Sequence, residues 1–407
     1  MSSHSPVFNL QSPFCTDKNR PEVFVARSDD PYTTAREAIS GIDLSIARGL
    51  KVLLKPNAGR VADPSSGVVT NPRVLAAVAD AFLEAGASVA IGESPITGVK
   101  TMEALEAAGH AAVARERGIT LIDFDAVPPV KTFVPEGVAI HELQLCAPLL
   151  QYDLIVSIPV MKTHMHTGVT LAVKNMKGCL WRRSKVAFHM LPPVERYTEK
   201  SLGIAIADMA GVLRPHLSVI DGTIGMQGLG PSAGSVQKNG CVVAGADAFA
   251  ADAAACALMG TRAELIPHLY LGARRGYGII DLEMIKVCPG NWRSWAVVFE
   301  KPPENIALQW ENVTILDKNS CSACQSTLLL FLKKYGSTLT DYFPEGKPVN
   351  IAIGKGHTDV PEGTLCIGNC TAAHKARGIF VKGCPPVGSE ILRRISNKES
   401  DDRQPSE

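Results

Sequence analysis

Strong charge of either sign is missing from this chain. Its 41 Lys+Arg face 40 Asp+Glu, which leaves a formal net charge of +1. No global field therefore draws it to nucleic acid or to an acidic membrane. Aromatic residues are scarce at 6%, and no basic tract is interleaved with them, so the usual footprint of a nucleic-acid binder is missing as well. Long apolar runs are also lacking. The most apolar window, residues 241–260, is broken by Asp247 and Asp252, which makes it a poor membrane span. The opening MSSHSPVFNLQSPFCTDKNR has no charged segment followed by an apolar core, so no secretory signal is expected. These absences point to a cytoplasmic protein without nucleic-acid or membrane partners. In that compartment eleven cysteines read as thiols or metal ligands rather than as a disulfide framework.

What is present is an ordinary globular balance over 407 residues, 46% hydrophobic and 20% charged, enough for two domains with real cores. Residues 1–19 and 397–407 read as polar, disordered tails. Between them strands alternate with helices. EVFVARS, KVLLKPN, SVAIGES and ITLIDFDA are strand-like; TTAREAISGIDLSIARG, PRVLAAVADAFLEAG and KTMEALEAAGHAAVARERG are helix-like. This order predicts an α/β fold over residues 20–303, a largely parallel sheet covered by helices on both faces. A smaller, cysteine-rich α/β unit is expected over 304–396.

Ligands of such sheets sit beyond the carboxyl ends of the strands. Three polar signatures fall there: Lys55-Pro56-Asn57, Glu93-Ser94-Pro95, and VMKTHMHTGVTLAVKNMKGCL from Val160 to Leu180 after the apolar YDLIVSIP. The third holds three lysines, two histidines and no carboxylate. If Met161–Thr167 continues as a strand, Lys162, His164 and His166 share one face. Lys174 and Lys177 follow at i,i+3 spacing with Asn175 beside them. Clustered cations repel by a few kcal/mol per pair, on the order of 4 at an effective dielectric near 20, so an anion is the expected companion. The functional reading is a site for a carboxylate or phosphate, with Lys55, Asn57, Lys174, Asn175 and Asp221 binding it and Lys162, His164 and His166 in the chemistry. The plain reading is a solvated basic loop whose histidines cap strand ends. After Asp221, the stretch DGTIGMQGLGPSAG reads as a glycine-rich loop that either brings backbone N–H groups to an anion or is a structural turn. Cys179, ending the basic stretch, either faces the same pocket or is a small buried hydrophobe.

The blocks LLKPN, SIPVMKTHMHTGVTLAVKNMKGCL, VIDGTIGMQGLGPSAG and ADAFAADAAACALMG, in this order, resemble the domain-of-unknown-function 362 family over about residues 23–290. The resemblance implies an α/β domain and, since members are often described as iron–sulfur proteins with an attached ferredoxin-type cysteine run, an iron–sulfur connection. This chain lacks that CxxCxxCxxxCP run, so its cysteines need their own argument. More distantly the fold is similar to that of lactate-racemase-type proteins, an analogy that carries no function.

Five cysteines lie in the smaller unit: Cys321 and Cys324 in CSAC, Cys366 and Cys370 in CIGNC, and Cys384 in VKGCPP. A Cys-x-x-Cys pair grips either a zinc ion or an iron–sulfur cluster. The proline after Cys384 favours a 4Fe–4S cluster, with zinc as the alternative. Five thiols exceed the four that either centre needs. The chain is thus expected to be an iron–sulfur-cluster enzyme, an oxidoreductase or lyase, acting on an anionic small molecule by redox or Lewis-acid chemistry. An electron-transfer partner is implied in the redox case. The alternatives are a non-enzymatic electron carrier or sensor, and a zinc-stabilised enzyme with its chemistry in the Lys/His pocket.

Overall fold

The structure, a computed structural model, describes residues 10–302 and 310–396. The chain divides into two compact units, Met1–Pro302 and Pro303–Glu407. The domain boundary expected at 303–304 lies outside the described residues, as do 1–9 and 397–407. The expected disordered tail does not reach residue 19: Phe14 is buried edge-on against Phe82, ring centroids 6.2 Å apart. One aromatic anchors a segment whose average composition reads as disordered.

In chain order the larger unit contains β1 (Glu22–Arg27), β2 (Lys51–Pro56), β3 (Ser88–Glu93), β4 (Thr120–Asp123), a separate hairpin of β5 (Val130–Phe133) and β6 (Glu142–Leu145), then β7 (Leu154–Ile158), β8 (Val160–His164), β9 (Gly168–Thr170), β10 (Leu217–Gln227), β11 (Ser235–Gly245) and β12 (Lys286–Cys288). All but the hairpin join one ten-stranded sheet with the path β12-β1-β11-β10-β7-β2-β3-β4, β8 pairing with β10 and β9 with β8. From β10 to β4 every pairing is parallel. β11 alone runs against both neighbours on that path.

The strands are continuous apolar runs because both faces are covered. Side chains alternate. Leu53 and Ile155 join one core with the helices Ser201–Ala210 and Ala248–Leu258, whereas Val52, Leu54 and Val156 join another with the helices Pro31–Ile39 and Pro72–Glu84. The helix Pro72–Glu84 starts where Asn71 caps it, its side chain accepting from Arg73 N, with Pro72 in the first turn. The stretch read as a glycine-rich loop after Asp221 is partly strand. β10 runs on to Gln227 through a bulge at Gly222/Ile224, and only residues 228–234 form the turn into β11. Glycines at 222 and 225 fit because a Cβ there would meet Met161 Cε at 2.9 Å and Met161 O at 2.5 Å, respectively.

The smaller unit is a parallel sheet of β13 (Val313–Asp317), β14 (Val349–Ile353), β15 (Thr364–Ile367) and β16 (Gly378–Val381), in that spatial order. The helices Ser322–Tyr335 and Gly388–Ser396 share one core with it, through Leu328, Phe331, Leu332, Ile391 and Ile395. A second, smaller core of Ala352, Val360 and Cys366 lies apart from that one.

Candidate functional site

The basic stretch follows the buried strand β7 as a tight hairpin rather than as one long strand. β8 stops at His164, residues 165–167 turn, and β9 returns with Lys162 opposite Thr170 and His164 opposite Gly168. Gly168 takes φ +77°, a value that suits glycine. The predicted row of Lys162, His164 and His166 on one strand face is therefore broken: His166 lies in the turn, its backbone N–H donating to His164 Nδ1 at 3.1 Å. The chain then enters the short helix Ala172–Asn175. Asp252 fixes this helix, accepting from Ala172 N at 2.7 Å and Val173 N at 3.0 Å. Burial pushes the Asp252 carboxyl up to about 8. Asp252 lies inside the helix Ala248–Leu258, whose own N-cap is Asp247.

A cavity of about 140 Å³ opens where these elements meet the ends of β2 and β3 and the residue 228–234 turn. Lys55, Asn57, Lys162, Lys174 and Asn175 line it, as expected from the sequence. So do Arg60, Glu93, Thr170, Lys177 and Lys185, which were not singled out as site residues. His164, His166, Asp221 and Cys179 do not line it. Asp221 has both oxygens engaged, Oδ2 by Asn71 N at 2.7 Å and Oδ1 by Thr223 Oγ1 at 2.6 Å and Thr223 N at 3.0 Å, so it braces backbone rather than meeting a ligand. Cys179 is fully buried, and burial pushes its thiol up to about 12. It is core.

The missing carboxylates come from elsewhere in the chain. Lys55 and Glu93, each 1% exposed, form a buried pair at 2.7 Å. Lys55 Nζ also donates to Pro56 O at 2.9 Å and Asn175 Oδ1 at 3.2 Å. Glu93 Oε2 also accepts from Ala58 N at 3.0 Å, and Oε1 from Ser94 N at 2.9 Å. Lys185 donates to Ser94 Oγ and to Leu180 O at 2.8 Å, and lies 3.7 Å from Asp125. Asn175 ties the arrangement together, its Nδ2 donating to Lys55 O at 3.2 Å and Ser157 Oγ at 3.1 Å.

The remaining cations have no carboxylate among the described residues. Lys162 Nζ donates to Asn57 Oδ1 at 2.6 Å and Val68 O at 2.7 Å. Lys174 Nζ reaches Thr170 Oγ1 at 3.4 Å. Lys177 Nζ and His189 Nε2 lie 2.7 Å apart, within hydrogen-bond distance. Six cationic side chains thus line the cavity against one anionic one, Glu93. Burial, then the charge of Lys174, brings Lys162 down to about 7, and burial alone does the same to Lys174. His164 is held well below the usual imidazole range by burial and by Lys174.

These shifts fix a pH dependence. The two lysines are half-protonated near pH 7 in the folded chain and protonated up to about 10.4 in the unfolded one. The unfolded chain therefore binds more protons between those values. Stability of the ligand-free protein should rise with pH from 7 toward 10 on their account, as urea unfolding at several pH values would reveal. An anion prefers the charged lysines, so its affinity should fall over the same interval. Equal anion affinity at pH 6.5 and 9 would contradict this.

In the smaller unit Cys321 and Cys324, at the start of one helix, lie beside the loops that carry Cys370 and Cys384. Cys321 is the N-cap of the helix Ser322–Tyr335, without a side-chain hydrogen bond to its first turn, and the Cys324 thiol beside it holds its thiol below the usual range. Cys324 in turn feels the charges of Cys370 and Cys384, which push its thiol further up after the effects of Cys321 and burial. The loops carrying Cys370 and Cys384 are stitched by Asn369 N donating to Gly383 O at 2.8 Å and Gly383 N to Asn369 Oδ1 at 2.9 Å. Gly368, at φ +91°, lets Cys324 approach, since a Cβ there would lie 3.3 Å from its sulfur. Cys366, counted with the candidate ligands from sequence, is placed elsewhere. It sits fully buried in the separate core with Ala352 and Val360, its sulfur directed to His374 O at 3.8 Å. Strand alternation is the reason: its neighbours Leu365 and Ile367 fill the core that contains Cys324.

Among the described residues no helix is long and apolar enough to cross a membrane. A thylakoid-associated protein of Synechocystis sp. is 28% identical to this chain over 219 residues, 54% of this chain and 66% of that protein, so just under two-thirds of the relative is matched. Two solved structures are similar. The lactate racemase apoprotein of Thermoanaerobacterium thermosaccharolyticum is 13% identical with a TM-score of 0.37, covering 59% of this chain and 57% of its own. A Thermotoga maritima protein is 15% identical with a TM-score of 0.35, covering 57% and 60%. The family model described as Domain of unknown function (DUF362) matches residues 52–257, which carry the sheet core and every lysine of the cavity, and the chain belongs to that family.

Proposed function

We propose that this chain is an enzyme that binds an anionic small molecule, bearing carboxylate or phosphate, in the cavity of its larger unit. The observation that carries the reading is the cavity's six cations against one carboxylate, with Lys162 and Lys174 buried and lacking an acidic partner among the described residues. Burying such groups without compensation is costly, and a bound anion would offset that cost. Glu93 orients Lys55, and Asn57 and Asn175 hold Lys162 and Lys55 toward the same space. The absence of His164 and His166 from the lining moves the burden of proton handling to the lysines themselves.

The second half of the reading is a 4Fe–4S cluster on Cys321, Cys324, Cys370 and Cys384. The fit rests on three features. Hydrogen bonds between Asn369 and Gly383 hold the Cys370 and Cys384 loops together, a glycine cradle admits Cys324, and a helix N-terminus at Cys321 suits an anionic centre. When bound, a cluster with four cysteine ligands would supply one-electron transfer; with Cys366 facing another core, no fifth thiol competes. A lone zinc would need its sulfurs about 3.8 Å apart, as follows from Zn–S bonds of about 2.3 Å in a tetrahedron. Among the described residues no three of His, Cys, Asp or Glu are already placed to hold a metal ion, so either centre would draw the cysteine loops together on binding.

The test of the anion site is thermal protection by phosphate, pyrophosphate and citrate. Lys162→Gln should weaken the best of them by about ten- to a hundred-fold, the worth of one charge-assisted hydrogen bond. Protection by none of them, or protection indifferent to Lys162, would sink the reading.

A further inference from the structure

The lysines around the cavity are not equivalent. Lys55 has three acceptors, Lys162 two, and Lys185 two with Asp125 nearby. An ammonium has three N–H bonds to place, and these sites go far toward placing them. Lys174 differs. It is 9% exposed, lines the cavity, and has one distant hydroxyl contact, Thr170 Oγ1 at 3.4 Å. The buried groups in its field are also unsuited to a neighbouring ammonium: Lys162, His164, Lys177, His189 and His268. His268 is fully buried, and neither of its ring nitrogens has a hydrogen-bond partner among the described residues. A desolvated lysine beside another cation is the arrangement that turns an amine into a nucleophile near neutral pH.

We infer that Lys174 is a covalent catalytic residue that condenses with the carbonyl carbon of a small 2-oxo carboxylate held in this cavity. The inference rests on the anion-site reading above: Lys162 and Arg60, which line the same space, take the carboxylate and leave the adjacent carbonyl to Lys174. The Nζ lone pair forms the new C–N bond while the carbonyl π pair moves to oxygen. A proton passes from nitrogen to that oxygen, with the Thr170 hydroxyl the nearest carrier. Loss of water then leaves a neutral C=N bond, and one proton from solvent converts it to the iminium. No oxidant or reductant is consumed. The resulting iminium sits next to the substrate's own carboxylate, which supplies the counter-charge the protein withholds.

The experiment is reductive trapping at pH 7 with cyanoborohydride and pyruvate or 2-oxoglutarate, followed by peptide mass mapping of the full-length wild-type chain. The expected adduct is on Lys174, at least about ten-fold above the adduct on exposed lysines such as Lys100, which stay protonated at that pH. Succinate, an anion without a carbonyl, should compete and form nothing. Lys174→Arg should lose the adduct while keeping thermal protection by the oxo acid. Protection by pyruvate or 2-oxoglutarate without an adduct would overturn the imine and leave the anion site standing. An adduct confined to Lys162 would overturn the assignment of the residue. Neither protection nor adduct with either compound would overturn this inference, while the anion site itself stands or falls on phosphate, pyrophosphate and citrate.

Discussion

Cys324→Ser should leave protein purified without oxygen colourless, with iron falling from about four per chain to near zero, while Cys366→Ser keeps both the colour and the iron. The contrast follows from placement. Cys324 is 5% exposed at the centre of the quartet, against Gly368 and within the field of Cys321, Cys370 and Cys384. Serine there is nearly isosteric but is a poor soft ligand. Cys366 is also buried, yet in a core of Ala352 and Val360 where its sulfur meets a carbonyl; serine there costs some stability and no iron. Iron, sulfide and zinc assays with a visible spectrum on the same samples decide the matter. A wild-type protein carrying one zinc and no colour would discard the cluster. Loss of iron in Cys366→Ser, with the fold intact by circular dichroism, would discard the quartet.

Glu93→Ala should destabilise the larger unit by about 3–5 kcal/mol, the usual cost of leaving a buried charge without its partner. Lys55 is 1% exposed, and its carboxylate partner is that single residue at 2.7 Å. Glu93 also accepts the backbone N–H groups of Ala58 and Ser94, which sit on the cavity rim just past β2 and β3. Its removal therefore frees two donors as well as a cation. The double variant Glu93→Ala with Lys55→Met should recover the part of the loss that comes from the stranded cation, while the two freed N–H groups keep the rest. Anion affinity should not recover with it. Urea unfolding of the three variants checks this. A single Glu93→Ala variant within about 0.5 kcal/mol of wild type, as for a surface change, would show that water or rearrangement already serves Lys55.

Part of the site was legible before any coordinates. Lys55, Asn57, Lys162, Lys174 and Asn175 announce themselves because α/β sheets place polar residues at the carboxyl ends of apolar strands, and all five line one cavity. Glu93 carried the same signal at the end of SVAIGE, yet its role as counterion to Lys55 depends on β2 and β3 lying side by side, 38 positions apart in the chain. Arg60 and Lys185 follow turns whose path no periodicity describes. His164 and His166 were misplaced because a three-residue turn interrupts the strand period, and Gly168 was the one hint of it.

By itself the sequence determined the layered α/β architecture, the basic strand end and the cysteine-rich second unit, since each follows from local periodicity and composition. Which lysines meet a carboxylate, and that Cys366 faces a different core from Cys324, only the tertiary structure decided. Both depend on register. A shift of one residue in a strand sends every side chain to the opposite face, and Cys366 and Leu365 lie on opposite sides of that alternation. Partners separated by tens of residues are chosen by how strands stack, a long-range consequence of core packing that no local pattern encodes.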